Sequence, residues 1–441
     1  MTPNVDAAVA KRLSNVVADL KLADPALPQK DSAGSMRRRR GFVQQDYSEL
    51  ATLSLVREED TYRWIYQTPI RGNSFKRARR SAARTIGSEV VHEFSFQQVP
   101  PNQVIAALED LDERLTPKQG LRRLDVKTGQ LVPVENVSVQ GRVLLLVHGT
   151  FSKSAMFIDE LNAINEGKEF IGRAVGHPAA RYEAILAFDH PTLSVSPWIN
   201  ALDLEVALAG VEGPIDVICH SRGGLVVGWW LRNAKRKVEN VVFVGAPLAG
   251  TSLASPANLR SALQGLANVF KGLEAASSLA STIVPFVSIV TGLSKIFGGI
   301  LQLGARTPLV DMAVVAVPGL AGQSRVGNNA ELFRLNRVQW VSEPAVHAVV
   351  SNFQPYETDE RWWQAWKLLR NPRDRFLDWG ADAIFSDKND LVVDTESMKL
   401  LCGQAIDSTR ICDFGDSATV HHCNYFRQDK TLKLLTKALK L

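Results

Sequence analysis

Cysteine is scarce in this chain, and the few present are not spaced for any chemistry. Cys219, Cys402, Cys412 and Cys423 are the four among 441 residues. None form CxxC or another zinc-type pair, which excludes a redox dithiol, a zinc cluster and a disulfide scaffold. A chain of this length buries enough apolar surface to fold without such staples. Also missing is the apolar core of a secretory leader: "MTPNVDAAVAKRLSNVVADL" reads as an amphipathic helix. The expected location is cytoplasmic, in a reducing compartment, with export by an unconventional route left open. Net charge is small too, +5 from 51 basic and 46 acidic residues. The excess is local, in "MRRRRG" (Met36 to Gly41) and "FKRARRSAAR" (Phe75 to Arg84). No stacking aromatics interleave with these arginines, so nucleic acid is not an expected partner, and the runs read as a solvated tail and loop.

What is present is patterned. Residues 1–45 mix Pro, Gly, Ser and charge without period and read as a flexible lead. From Tyr47 onward, "ATLSLV", "YRWIYQTPI" and "VVHEFSFQQV" alternate like strands. Val104, Ile105, Leu108, Leu111 and Leu115 then recur at helical spacing. Residues 46–138 are expected to form a small accessory α+β unit, and no chemistry is read in it. The main domain is expected over 139–441. Val143 to Val147 is an uninterrupted apolar run, as for a parallel strand buried on both faces. "YEAILAFDHP", "IDVICHS" and "VENVVFVGAP" repeat the pattern, with helical stretches between them. Strand and helix in alternation predict a doubly wound, mainly parallel sheet, that is, an α/β fold.

The third of these strands runs into "DVICHSRGGLVVGWW" (Asp216 to Trp230). A nucleophilic serine on a strand-to-helix turn needs small neighbours, because the turn holds it in a strained conformation. Gly223 and Gly224 meet that need after Ser221. Two residues before it, Cys219 stands where the usual G-x-S-x-G pattern has glycine, and a thiol is still small. A chance S-x-G-G in a chain this long is expected on the order of 0.1 times from average glycine usage. The plain alternative is a turn serine without catalysis.

Such a serine needs a base, an orienting acid and an oxyanion hole. "HGT" (His148 to Thr150) ends the first buried strand, so the backbone N–H groups of Thr150 and Arg222 are the expected oxyanion donors. His148 itself reads as a structural loop histidine. Downstream, "SDKNDLVVDTESM" offers Asp387, Asp390 and Asp394, with Asp359 a lesser rival. Asp390 is favoured and Asp387 is the alternative. "VHHCNYF" offers two adjacent histidines, which point opposite ways in an extended segment. His422 is favoured as the base, with His421 the alternative. His220 is expected to pack at the base of the turn. No metal and no cofactor is required.

Together "LLLVHGTFSKS", "FDHPTLSVSPWINALDL", "IDVICHSRGGLVV", "VGAPLAGTSLA", "NDLVVDTESM" and "HHCNYF" resemble the lipase-like α/β-hydrolases. The likeness is greatest to the bacterial PGAP1-like and triacylglycerol-lipase-like branch, and it covers roughly residues 140–430. The resemblance implies an α/β-hydrolase fold and an ester-cleaving triad of Ser221, Asp390 and His422. Cys219 is its visible departure. It also implies a lid or cap after "GAPLAGT", and an apolar insert, about 253–325, begins at that point. Ala275 to Ser294 is near membrane-span length but carries seven Ser/Thr residues and Pro285, which favours a cap over a span. Trp362, Trp363 and Trp366 in "RWWQAWKLL" read as packing or as an interfacial belt. The expected function is hydrolysis of a carboxylic ester, that of a lipid, through an acyl-enzyme on Ser221, with transient membrane-surface contact. Two other readings compete: a non-catalytic α/β-hydrolase scaffold, and a membrane-active lipid-binding protein working through the insert.

Overall fold

A computed structural model of the chain describes residues 50–58, 61–67, 88–97, 104–254, 317–325, 329–337, 343–354 and 388–441. The lead, both arginine runs, most of the apolar insert, the tryptophan cluster, Asp359 and Asp387 lie outside the described residues. The chain divides into a smaller and a larger compact unit.

In the smaller unit, strands β1 (Leu50–Glu58), β2 (Thr61–Gln67) and β3 (Ser88–Gln97) form an antiparallel sheet in the order β2-β1-β3. They coincide with the three alternating stretches of the sequence. Ser54 and Glu93 are paired across β1 and β3, and the Ser54 hydroxyl donates to Glu93 Oε2 at 3.0 Å.

Helix α1 (Val104–Leu115) follows, and its residues from Leu108 onward belong to the larger unit. That unit is built on eight strands: β4 (Gly120–Asp125), β5 (Gln130–Pro133), β6 (Val143–Val147), β7 (Ala184–Asp189), β8 (Ile215–His220), β9 (Val238–Val244), β10 (Ala345–Phe353) and, past the short hairpin β11–β12 (Leu400–Leu401 and Gln404–Ala405), β13 (Ile411–Ser417). Their order is β5-β4-β7-β6-β8-β9-β10-β13. The six strands from β7 to β13 in this order run parallel, and the β4–β5 hairpin is antiparallel at one edge. This is the α/β-hydrolase fold. The sheet begins earlier than the sequence suggests: the boundary expected at 138/139 falls inside this unit. Its edge hairpin, "GLRRLD" and "QLVP", is polar and partly exposed, so no apolar run announces it.

Period-two alternation in the central strands feeds two cores. On one face Val143, Leu145, Val147, Ile215, Val217 and Cys219 pack with Leu204 of α4 (Pro197–Ala207) and Val226, Val227 and Trp230 of α5 (Gly223–Trp230). On the other face Leu144, Leu146 and Ile218 meet helices α2 (Ala155–Asn162), α3 (Asn165–Ala174) and, from the C-terminal end of the chain, Asp429–Leu439. Burial on both faces is why these strands read as continuous apolar runs. Two short helices are described near the end of the insert, α6 (Pro318–Ala321) within its last residues and α7 (Ala330–Leu335) after it, and the terminal helix is α8 (Asp429–Leu439). No helix of the described residues is long and apolar enough to cross a membrane.

Candidate active site

In an open parallel sheet the carboxyl ends of the strands carry the ligand crevice. Here β6 ends at His148-Gly149, β8 at Ser221 and β9 at Gly245.

Ser221 is the turn between β8 and α5. Its φ is +53°, the left-handed region that a side chain enters at a cost of about 1–3 kcal/mol. The turn is held by Ser221 N–H donating to the Val244 carbonyl at 2.9 Å. Gly223 is obligatory: a Cβ there would lie 2.4 Å from the Val147 carbonyl oxygen. At Gly149 a Cβ would lie 2.5 Å from Ser221 Cβ, so the loop after β6 rests directly on the serine. Cys219 is fully buried in the core facing α4 and α5, with its thiol 3.6 Å from the Val242 carbonyl. Burial pushes that thiol well above its ordinary pKa, which makes it inert packing. The missing glycine therefore leaves the turn intact.

His422 lies against this turn. Its Nδ1 donates to Asp390 Oδ2 at 2.8 Å, and its backbone N–H donates to the Asp390 carbonyl at 3.0 Å. An ionised carboxylate only accepts, so the proton sits on Nδ1 and Nε2 is left with a free lone pair. The ring of His220 packs 4.7 Å from that of His422, and His220 Nε2 donates to the His422 carbonyl at 2.9 Å. Burial, then the neighbouring His422, lowers His220 to about 3, so it stays neutral. A bidentate Arg427–Glu160 pair, 2.8 and 2.6 Å, ties the segment after His422 to α2.

Asp390 is completely buried at the tip of a turn closed by the Asn389–Asp394 bridge. Oδ1 accepts from the N–H groups of Val392 and Val393 at 3.1 and 2.8 Å. Oδ2 accepts from His422 and also from the Tyr425 hydroxyl at 2.8 Å. Burial alone would raise the carboxyl, but His422 and these bonds outweigh it and hold it below its ordinary value.

Asp394 and His421 make other contacts. Asp394 accepts from Ser252 N–H and hydroxyl at 3.1 and 3.0 Å and faces Arg325 at 3.6 Å. His421 points toward Phe353, accepts from Cys423 N–H at 3.3 Å, and its Nε2 has no partner among the described residues. Burial lowers it to about 4. His148 is a loop residue: Nε2 accepts from His190 N–H at 3.1 Å, Nδ1 meets the Gly149 carbonyl at 2.9 Å, and its ring stacks 4.2 Å from His190.

The N–H groups of Thr150 and Arg222 flank Ser221, and neither donates to an acceptor among the described residues. The guanidinium of Arg222 is fully buried, and it forms no ion pair with a carboxylate of the described residues. It donates to the Val195 and Gly319 carbonyls and to Asn200 Oδ1, and burial lowers it to about 10. Phe151 N–H donates to Thr192 Oγ1 at 3.2 Å. Asp112 of α1 in turn accepts from the N–H groups of Thr192, Leu193 and Ser194 at 2.7–3.0 Å. A segment read as carrying no chemistry thus braces the loop beside the site. Sequence reasoning passed over Asp112 and Tyr425. For Tyr425 the available signal was chemical: a tyrosine in an apolar core needs a partner for its hydroxyl. Among the described residues no group of three or more His, Cys, Asp or Glu could hold a metal ion.

A family model described as a domain of unknown function, DUF7379, matches residues 116–440. No curated protein matches in sequence. Among solved structures, the chain is similar to the mature form of lipase BlEst2 from Bacillus licheniformis, at 14% identity over 72% of this chain and 97% of that one, TM-score 0.34. Lipase 1 from Pelosinus fermentans matches at 13% identity over 68% and 97%, TM-score 0.36. The hydrolase olei00960 from Oleispira antarctica matches at 10% over 75% and 97%, TM-score 0.35. What this chain does is therefore read from its own residues.

Proposed function

The chain belongs to the DUF7379 family of domains of unknown function, and from the groups gathered at its strand ends we propose that it is a serine hydrolase that cleaves a carboxylic ester, of a lipid, through an acyl-enzyme on Ser221. One observation carries the reading. A buried carboxylate holds a histidine by its Nδ1 at 2.8 Å, and that histidine packs 4.7 Å from His220, the residue before a serine strained at φ +53°. Buried ionisable pairs and strain of this kind cluster at functional sites.

Ser221 Oγ attacks the acyl carbonyl as His422 Nε2 takes its proton. Asp390 orients the imidazole and stabilises the imidazolium. The N–H groups of Thr150 and Arg222 receive the oxyanion, and pre-aimed donors of this kind lower the barrier because they need no reorganisation. Collapse expels the alcohol with the proton from His422. Water then attacks the acyl-enzyme, giving its proton to His422; the second tetrahedral intermediate collapses by breaking its bond to Ser221 Oγ, which takes that proton back, and the acid leaves. None of these steps uses a cofactor.

The lipid character of the ester is supported by the surface. Trp198, Ile199, Leu202 and Val206 of α4 are exposed at 38–75% along one stripe. That helix begins directly after the 192–196 loop. An exposed apolar patch of this kind marks contact with apolar matter, and the same stripe serves transient contact with a membrane surface. The finer likeness to PGAP1-like lipases rests on the six sequence blocks alone.

The test is turnover of a short-chain p-nitrophenyl ester together with labelling by a fluorophosphonate. The parent does both, and Ser221→Ala, folded, does neither, with turnover down by roughly 10⁴–10⁶. A parent chain inert to both reagents is the outcome expected of a non-catalytic scaffold.

A further inference from the structure

The apolar insert begins a few residues after β9, and the described residues resume at Val317, near the insert's end. The returning segment pairs with the departing one: Thr251 N–H donates to the Gln323 carbonyl at 2.9 Å, and Arg325 N–H donates to the Thr251 carbonyl at 3.2 Å. This neck touches both residues that carry the oxyanion donors. Gln323 is 5% exposed, and its Nε2 donates to Thr150 Oγ1 at 3.1 Å and to the Gly319 carbonyl at 3.2 Å. The same Gly319 carbonyl accepts from Arg222 Nε at 3.3 Å. Gly319 N–H donates to the Leu193 carbonyl at 3.0 Å, in the loop held by Asp112.

An oxyanion hole works only if its donors meet one atom at 2.7–3.1 Å together. Here the two donors come from different loops, one after β6 and one after β8. Nothing in the strand ladder sets the loop positions relative to each other beyond the last paired residues. The 317–323 turn does so, because both side chains end on it.

Resting on the serine-hydrolase reading, we propose that Gln323 is a positioning residue for the oxyanion hole: by holding Thr150 directly, and Gly319 on which Arg222 also rests, its amide references both N–H donors to one turn of the insert's neck. It touches no substrate. Its removal leaves Ser221, His422 and Asp390 in place and lets the Thr150 donor drift.

The test uses the full chain and separates positioning from packing. Gln323→Ala removes the amide, and Thr150→Val removes its target hydroxyl while keeping the backbone N–H. Each is expected to lower kcat about tenfold, less than the loss from deleting a donor outright, with KM nearly unchanged. Affinity for a trifluoromethyl ketone, whose adduct with Ser221 carries the oxyanion, falls by the same factor. The double variant is no worse than Gln323→Ala alone, because the Thr150 change cuts a connection that the Gln323 change has already removed. Parent-like kcat in either variant, losses that multiply in the double variant, or a rise in KM alone would overturn the proposal. Should Gln323→Ala fail to fold, Thr150→Val decides the matter. If the parent neither turns over ester nor takes fluorophosphonate, the hydrolase reading falls and this role with it. If the parent does both and the variants match it, only the positioning role falls.

Discussion

Replacing Tyr425 by Phe removes one oxygen from a fully buried site and keeps the shape of the ring. The hydroxyl donates to Asp390 Oδ2 at 2.8 Å, the oxygen that also takes His422 Nδ1. A hydrogen bond to a charged group contributes about 1.5–3 kcal/mol, since a buried acceptor has no water to turn to. Asp390 keeps three other donors, His422 Nδ1 and the N–H groups of Val392 and Val393. The expected loss of stability near pH 7 is therefore at the low end, about 1.5 kcal/mol. The loss is linked to pH. Burial raises Asp390, while His422 and the bonds, that of Tyr425 among them, bring it below its ordinary value. A depressed carboxylate contributes stability that is fully present above its unfolded pKa, about 4, and is lost as pH falls through the lower folded value. Without the phenol, the folded value moves up and that contribution shrinks. Urea denaturation should show a lower midpoint with an unchanged slope near pH 7, and the gap to the parent should close as pH falls below about 4. Under the proposed mechanism, turnover should fall far less than on loss of Ser221, because the Asp390 bond to His422 Nδ1 remains. A variant as stable as the parent near pH 7, or one with the same deficit at both pH values, would refute this account of Asp390.

The two adjacent histidines separate by mutation: His422→Ala should cost orders of magnitude in ester turnover and His421→Ala little, and a reversed pattern would move the base. Cys219→Gly should keep turnover within about tenfold and lose roughly 1 kcal/mol of stability from the vacated core; if it were as dead as Ser221→Ala while folded, the thiol would have a chemical role. His220, neutral in the fold at about 3, has a depressed folded pKa, so its contribution is present above about 6.5 and lost as pH falls toward 3. By pH 5 that amounts to about 2 kcal/mol. His220→Gln should flatten the decline in stability over that window, and an unchanged pH profile would show that His220 does not drive it.

Much of this architecture is written locally. Strands β6 to β9 announce themselves because burial on both faces demands unbroken apolar runs, and the elbow because its turn tolerates only small residues around Ser221. Other features carry no local mark. The β4–β5 hairpin joins the main sheet through backbone pairing at an exposed edge, which asks nothing of its side chains. Asp390 and Asp394 stand four residues apart in equally acidic surroundings. What separates them is the fold of one turn, which sends the first carboxylate to His422 and the second to the insert's neck at Ser252. His421 and His422 are chemically identical neighbours, and the choice between them lies with partners at Asp390 and His220, 32 and 202 positions away. The contact of Gln323 with Thr150 spans 173 residues. Periodicity and turn chemistry act over a few residues and are legible in the chain. Hydrogen bonds between distant loops depend on how the strands are ordered in the sheet, so they exist only once the chain has folded.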